Sequence, residues 1–272
     1  MSELILEAGR KGQQYWRDVW RYRELFYVLA WRDFSVRYKQ TTIGVLWAFL
    51  QPFLASVVFT LLFGKMGHMD KTVKAPYFLF VFVGMMPWQF FSGSITAASQ
   101  SLLGNANLIS KVYFPRLIVP ASAVVTSLAD LFITFVLLLG LLAWFRYVPS
   151  WHMILLPVFV LVAVLAALGP GLLLTALTVQ YRDFRYVVPF IVQMGFFISP
   201  VGYPPSNVPP QWHLLYSLNP MVGAIDGFRW AILGESHIYL PGFVLSLAVT
   251  GIALGLGISY FRRTERSFVD VI

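Results

Sequence analysis

Residues 37–52 read RYKQTTIGVLWAFLQP and pass from two basic residues, through three polar ones, into an apolar run that begins at Ile43. The run continues to Gly64 and carries Gln51 and Pro52 within it. About 20 apolar residues are enough for a helix to cross the hydrocarbon core of a bilayer. The stretch therefore predicts that the chain passes from a basic membrane surface directly into its first membrane span.

The composition indicates that most of the chain lies in lipid. Hydrophobic residues make up 58% and charged residues 12% of its 272 residues, with a mean hydropathy of +0.71. Soluble domains contain about 25% charged residues. The first 40 residues are polar and rich in charge, so we expect no cleavable signal peptide. Cysteine is absent, which excludes disulfides and thiolate metal sites. We predict an all-α integral membrane protein.

Six membrane spans are expected, and the fifth is short for a complete crossing. They are predicted at about 43–64, 76–103, 117–145, 153–179, 187–201 and 240–261.

The basic residues predict the orientation of these spans. An even number of spans puts both ends of the chain on one side, and fifteen of the 20 Lys and Arg residues fall there. By the positive-inside rule, both termini are cytoplasmic. The same bias accounts for the net charge of +8, so nucleic acid is not an expected partner. The predicted regions are a cytoplasmic N-terminus at 1–42, a transmembrane domain at 43–261 and a cytoplasmic tail at 262–272.

Residues 15–40 predict an amphipathic helix before the first span. Aromatic residues recur at helical spacing, and most arginines lie off that stripe. We expect this helix to lie in the headgroup layer, with packing against a soluble partner as the alternative. The stripe consists of Trp16, Trp20, Tyr27, Trp31, Phe34 and Tyr38.

A second stripe, inside the first span, alternates aromatic rings with hydroxyl groups. Small polar residues in a membrane helix are typical of close helix packing. The alternative is a conduit for a sugar chain, because sugars stack on rings and bond to hydroxyls. Pro52 leaves a backbone carbonyl free, so we expect the span to bend there. Either Gln51 satisfies that carbonyl or the carbonyl faces a hydrated path. The stripe consists of Phe49, Phe53, Ser56, Thr60 and Phe63.

Four motifs resemble, in order, the polysaccharide-export branch of the ABC-2 type permeases, which includes exporters of O-antigen, capsule and teichoic acid. They are RYKQTTIGVLW at 37–47, LISKVYFPR at 108–116, YRDFRYVVP at 181–189 and LNPMVGAIDGFRWAILG at 218–234. The resemblance covers roughly residues 20–265. It implies six membrane helices per subunit, an N-terminal interfacial helix, and short re-entrant helices on the outer side between the fifth and sixth spans.

The resemblance also implies partners and a location. The working unit would contain two copies of this permease and two separate ATPase subunits, which bind the ATP and magnesium. The sequence agrees, because it contains no GxxxxGK[ST] phosphate loop. This chain is therefore expected to be no enzyme and to bind no cofactor itself. Its substrate would be a lipid-linked polysaccharide, and its place the bacterial cytoplasmic (inner) membrane, among membrane lipids.

Three alternatives stay open at this point. The chain could belong to an ABC-2 exporter of a small hydrophobic compound, to a proton-coupled secondary transporter that uses Asp130, or to a membrane-embedded enzyme acting on lipid. Asp130 is the only carboxylate deep in a long span, where a charge is costly. It is expected either to be hydrogen-bonded in a packed contact or to contact substrate or protons.

Residues 104–116, GNANLISKVYFPR, lie between the second and third spans and predict a short helix with one apolar face. An ordinary loop helix at the membrane surface would look the same. In the resembled family this segment is the coupling helix that docks in a groove of the ATPase. The contact residues that the resemblance implies are Asn107, Leu108, Lys111 and Tyr113.

Beyond the fifth span, four prolines between Tyr203 and Pro210 prevent a continuous helix. Asp226 and Arg229 follow one helical turn apart and can form an ion pair. The pair is either structural or part of an extracytoplasmic gate, which the resemblance places in this region. The four histidines, His68, His152, His213 and His237, are dispersed, so no metal site is expected.

Overall fold

A computed structural model describes residues 12–39, 44–234 and 238–268. The predicted boundary between residues 42 and 43, and His237, lie outside these ranges. The described residues form helices and connecting loops, without a strand. The helices are α1 (Gly12–Arg21), α2 (Arg23–Lys39), α3 (Gly44–Phe59), α4 (Tyr77–Gly104), α5 (Ala106–Lys111), α6 (Ile118–Trp144), α7 (Leu156–Gln180), α8 (Phe184–Ile198), α9 (His213–Tyr216), α10 (Pro220–Leu233) and α11 (Leu240–Thr264).

Among the residues that the structure describes, five helical segments are long and apolar enough to cross a membrane, which confirms a helical, multi-pass membrane protein. They are Phe49–Met66, Tyr77–Gly104, Ile118–Trp144, Trp151–Gln180 and Leu240–Ser267. The predicted fifth span corresponds to α8, which is apolar but has only 15 residues.

The first span ends in an irregular helical turn. The helix α3 continues through Pro52. It is followed by a π-helix at Thr60–Met66, so the wider helical turns lie further along the span than the proline. The bend that the sequence suggests at Pro52 stays a prediction.

The central helix of the bundle is α4, which has 28 residues and most of its side chains buried. It packs against α3, α6, α7, α8 and α10. Small residues permit these close contacts, because helices in lipid gain little from hydrophobic burial alone. A close backbone contact joins α7 and α11, where a Cβ at Gly257 would lie 2.2 Å from the backbone oxygen of Gly169.

A second, separate core lies where α1, α2, the end of α4, the α5–α6 loop and α11 meet. Its fully buried members include Leu29, Leu102, Phe261 and Phe268. We call it the terminal core, because both ends of the described chain contribute to it. It shows that the N-terminal helices and the end of α11 belong to the same structural unit as the α5–α6 loop.

The N-terminal helices have two different apolar faces. The residues that pack into the terminal core are Tyr15, Tyr22, Leu25, Phe26 and Leu29. The predicted aromatic stripe lies largely outside it, and Trp20 is 73% exposed. An exposed stripe of large rings is what a helix in a headgroup layer would present to lipid.

The segment between α8 and α10 is irregular, as the prolines predict. Three short helical turns, Pro205–Asn207, Pro210–Trp212 and α9, replace a continuous helix. The helix α10 then begins with an Asn219 side chain that accepts the Met221 N–H at 2.9 Å, and it ends at Gly234 with a φ of +67°. Its 14 residues are mostly buried against α4, α7 and α11.

Candidate transport path and docking surface

The stripe on the first span packs partly against α4. The rings of Phe49 and Phe53 lie 5.3 Å apart, and Phe53 lies 5.4 Å from Phe78 of α4. Ser56 is fully buried, and its hydroxyl points to the sulfur of Met85 at 3.5 Å. Ser56 therefore lies in a helix contact, as the packing interpretation predicts, and does not face open space in this protomer.

The two ends of the stripe are more accessible than its middle. Phe49 is half-buried, Gln51 is exposed, and Phe63 is 42% exposed. Thr60 donates to the backbone carbonyl of Ser56 at 2.7 Å, which is a bond within its own helix. The conduit role of the stripe stays a prediction.

The α5–α6 loop presents a surface different from the predicted one. The predicted apolar residues do not all lie on one face. Leu108 and Ile109 of α5 pack into the terminal core, whereas the two residues directly after the helix are exposed. Tyr113 is 61% and Val112 47% exposed. Asn107 and Lys111 are exposed beside them. We call residues 107–116 the docking loop.

The helical spacing places Val112 on the predicted apolar face of this segment, but Val112 was not among the predicted contact residues. Aromatic residues such as the exposed Tyr113 are enriched in protein interfaces, and the exposed Val112 lies beside it. Leu108, which was selected, is half-buried and packs against the terminal core.

Arg229 is fully buried on α10 and binds backbone carbonyl groups. Its side-chain nitrogens donate to Phe80 of α4 at 3.3 Å, to Val201 at 2.7 Å and to Tyr203 at 3.4 Å. The guanidinium also lies 3.7 Å from the centre of the Phe80 ring, within cation–π distance. The last two carbonyls follow the end of α8, where no helix satisfies them. Arg229 thus supplies donors to irregular backbone inside the bundle.

The predicted Asp226–Arg229 pair is only part of this arrangement. The positive charge of Arg229 acts on the Asp226 carboxylate. The guanidinium also donates to α4 and to the segment after α8. The pair between the two neighbouring turns stays a prediction, and Arg229 in addition connects three parts of the chain.

Three other residues support the same segment, and the sequence did not single them out. The Tyr77 hydroxyl donates to the Gly202 carbonyl, and the Asn219 amide donates to the Ser199 hydroxyl at 2.9 Å. A Cβ at Gly84 would lie 2.5 Å from a terminal nitrogen of Arg229. Gly84 stands alone in a run of bulky residues, FLFVFVGMM, and that contrast was the available signal.

Asp130 is held by the end of α2. An Arg37 nitrogen lies 2.7 Å from one carboxylate oxygen, and the Tyr38 hydroxyl donates to the other. Burial, and after it the bond to Asp130, raises the pKa of the Tyr38 hydroxyl above its usual value, so Tyr38 remains a donor. This is the hydrogen-bonded packing that was one of the two expectations. Because Arg37 and Tyr38 bind the Asp130 carboxylate, the cost of placing a charge within the span is offset without a role in proton transport.

A cavity of about 360 Å³ opens between α2, α4 and α6. Its charged lining consists of Arg32, Asp33 and Arg37. Arg32 contacts Asp33 at 2.7 Å and Arg37 contacts Asp130, so each cation already has an anionic neighbour. The cavity is therefore polar but close to neutral.

Within the described residues, no three His, Asp or Glu side chains converge in a way that could hold a metal ion. His152 lies between two rings, 4.2 Å from Trp151 and 4.0 Å from Trp230. His213 contacts the Val208 carbonyl at 2.7 Å.

The sequence profile of the ABC-2 type transporter matches residues 24–233, from the start of α2 to the end of α10. The chain belongs to the ABC-2 type transporter family. This ABC-2 permease is 32% identical to an O-antigen export system permease protein of Myxococcus xanthus over 259 residues, which covers 94% of this chain and 98% of the relative.

Two other relatives are similar over most of their length. An O-antigen export system permease protein of Klebsiella pneumoniae is 25% identical, over 92% of this chain and 95% of the relative. A polysialic acid transport protein of Escherichia coli is 24% identical, over 82% and 89%. These relatives are transport proteins and not enzymes. The similarity of this ABC-2 permease to them extends over most of their length.

Proposed function

We propose that this chain is the membrane subunit of an ATP-driven exporter that moves a lipid-linked polysaccharide, of the O-antigen, capsule or teichoic acid type, across the cytoplasmic membrane. The observation that carries the proposal is the similarity to an O-antigen export permease over 94% of the chain. The relative that transports polysialic acid is a second protein of the same substrate class.

Export of a small hydrophobic compound has less support. An inner membrane transport permease of Escherichia coli is 36% identical, but over only 34% of this chain. The relatives whose similarity extends over nearly the whole chain are named for polysaccharides.

The proposed topology has six crossings with both termini in the cytoplasm. The helix α8 would be the fifth, with α9 and α10 re-entering from the outer side. The irregular backbone after α8 can lie at membrane depth, because its carbonyl groups accept hydrogen bonds from the buried Arg229 side chain. The exposed aromatic stripe of α1 and α2 would lie in the inner headgroup layer. The chain would be a multi-pass protein of the bacterial cytoplasmic membrane.

The proposed assembly contains two copies of this permease and two ATPase subunits. ATP and magnesium would bind to the ATPase, and the docking loop would enter its groove. Tyr113, Val112, Asn107 and Lys111 are the exposed residues available for that contact. YRDFR at 181–185 begins at the end of α7 and would be a second contact.

Loss of this permease is the direct test of the proposed function. In a strain lacking it, we expect surface polysaccharide to disappear and lipid-linked polymer to accumulate inside the cell. Polymer from fractionated cells would be quantified, with a strain lacking the cognate ATPase as the matched control. Normal surface polymer in the permease mutant would contradict the proposal, and sensitivity to a hydrophobic compound would favour the alternative.

Cysteine labelling tests the conduit. The chain has no natural cysteine, so single replacements report one position each. During ATP turnover, we expect Phe49→Cys and Phe63→Cys to react with a water-soluble thiol reagent faster than Leu54→Cys and Val58→Cys, which face away from α4 and are about half exposed. Loss of a stacking ring should slow export roughly twofold to tenfold, and loss of both Phe49 and Phe53 should nearly stop it. Faster labelling of positions 54 and 58 would assign the stripe to packing alone.

A further inference from the structure

The end of α11 is bonded to the docking loop. The Glu265 carboxylate accepts the backbone N–H of Arg116 at 2.8 Å, and the Arg116 guanidinium donates to the Glu265 backbone carbonyl. These two reciprocal bonds join residues 149 positions apart. They connect the last described turn of the chain, Glu265–Ser267, to the point where α6 begins.

The position of Glu265 gives this contact additional strength. Arg116 lies just before α6, and N–H groups at a helix start have no partner within the helix. A carboxylate there also interacts favourably with the positive end of the helix dipole. Glu265 thus satisfies the backbone N–H that lies just before the start of α6, while its own backbone carbonyl receives the Arg116 side chain.

Tyr15 of α1 joins the same contact. Its ring lies 4.7 Å from the Arg262 guanidinium, and its hydroxyl is buried beside the Glu265 carboxylate without the full geometry of a hydrogen bond. Burial, followed by the neighbouring carboxylate, raises the pKa of this hydroxyl above its usual value. Helices α1, α6 and α11 therefore meet at one carboxylate.

The helices α1 and α2, which we call the interfacial helix, are also connected to the chain just before the docking loop. Arg32 of α2 donates to the Asn105 side chain at 2.7 Å, and Asn105 lies between α4 and α5. Further along α2, Arg37 and Tyr38 bind Asp130 of α6. The helix α2 thus contacts Asn105, just before the docking loop, and Asp130 of α6. The helix α1 lies beside Glu265, which binds the end of the loop.

We propose that Glu265 is a positioning residue that fixes the docking loop to α1 and α11, so that a displacement of this loop by its ATPase moves the interfacial helix together with α4 and α6. The proposal rests on the proposed function. Without this contact, the end of the loop would still be covalently joined to α6, but α1 would lose its polar connection to it. ATP hydrolysis would then drive less movement of the interfacial helix.

The test compares Glu265→Ala and Glu265→Gln with Arg266→Ala, a change at the exposed neighbour in the same turn. Full-length permease and its ATPase are placed in vesicles, and ATP hydrolysis and export are measured together. We expect Glu265→Ala to lower export per ATP about tenfold, as the loss of a charge-assisted hydrogen bond implies. Glu265→Gln keeps an oxygen that accepts the Arg116 N–H and should recover most of the coupling. Arg266→Ala should equal the wild type.

The outcomes separate this proposal from the proposed function. If wild-type permease and ATPase do not export polymer together, the proposed function is wrong. If the wild type exports and Glu265→Ala has the same export per ATP, the positioning role is overturned. A drop in export that follows a lower unfolding temperature in all Glu265 variants would also overturn it, because stability alone would explain the result. If Glu265→Ala cannot be isolated, Arg116→Ala is measured in its place, because it removes the guanidinium that donates to the Glu265 backbone carbonyl. Unchanged export per ATP in Arg116→Ala then overturns the proposal.

Discussion

Replacing Val112 and Tyr113 together with glutamate is expected to abolish export while the permease still inserts and folds. Both side chains are exposed, so their replacement leaves the terminal core intact. Aromatic residues at the centre of an interface commonly contribute about 2 kcal/mol or more to binding, which is a loss of thirtyfold or greater. Two new carboxylates in an apolar contact add a desolvation cost.

The measurements are co-purification of the ATPase, ATP hydrolysis and export. Tyr113→Phe retains the ring and is the matched control, which should export normally. Leu108→Asp is a contrasting variant, because Leu108 packs into the terminal core and its replacement should reduce folded protein. Normal export by the double glutamate variant would remove the docking assignment.

Replacing Arg229 with alanine is expected to prevent accumulation of folded permease. Three backbone carbonyls would lose a donor inside the bundle, and Asp226 would lose a compensating charge. Each buried polar group left unsatisfied costs about 1–3 kcal/mol, and typical proteins are stable by only about 5–15 kcal/mol. Arg229→Lys keeps the charge but cannot reach all three carbonyls, so it should rescue only in part.

A milder change on α4 tests the same geometry. Gly84→Ala would place a methyl group 2.5 Å from the Arg229 guanidinium, whereas nothing lies within 4 Å of a Cβ built at Gly93 on the same helix. The unfolding temperature of purified protein in detergent should fall for Gly84→Ala and change little for Gly93→Ala. Equal unfolding temperatures would show that the guanidinium does not need this space.

Exchange of the two charges is not expected to restore the fold. In the variant with Asp226→Arg and Arg229→Asp, the carbonyls of Phe80 and Val201 would face a carboxylate in place of a donor. A simple pair between neighbouring turns would tolerate this exchange, and the present arrangement should not. Full recovery of export would contradict the carbonyl-binding role of Arg229.

The sequence by itself determined the class of the protein and the approximate positions of its helices. A bilayer imposes a minimum apolar length on every crossing helix, so each span is visible as a local run of residues. The helices at Tyr77–Gly104 and Ile118–Trp144 lie close to the predicted 76–103 and 117–145. The prolines between Tyr203 and Pro210 end regular helix because of a local property, the missing N–H.

Only the tertiary structure decided which side each residue faces and what its polar atoms bind. Arg229 and Phe80, like Glu265 and Arg116, are 149 residues apart, and local spacing carries no information about such pairs. The same limit applies to residues 108–113, where helical periodicity predicts one apolar face. The helix α5 ends at Lys111, Leu108 packs against the terminal core, and Tyr113 lies beyond the helix and is exposed. That division depends on where α2, α4 and α11 converge, since a helix face becomes a core or a surface only when another helix covers it or leaves it open.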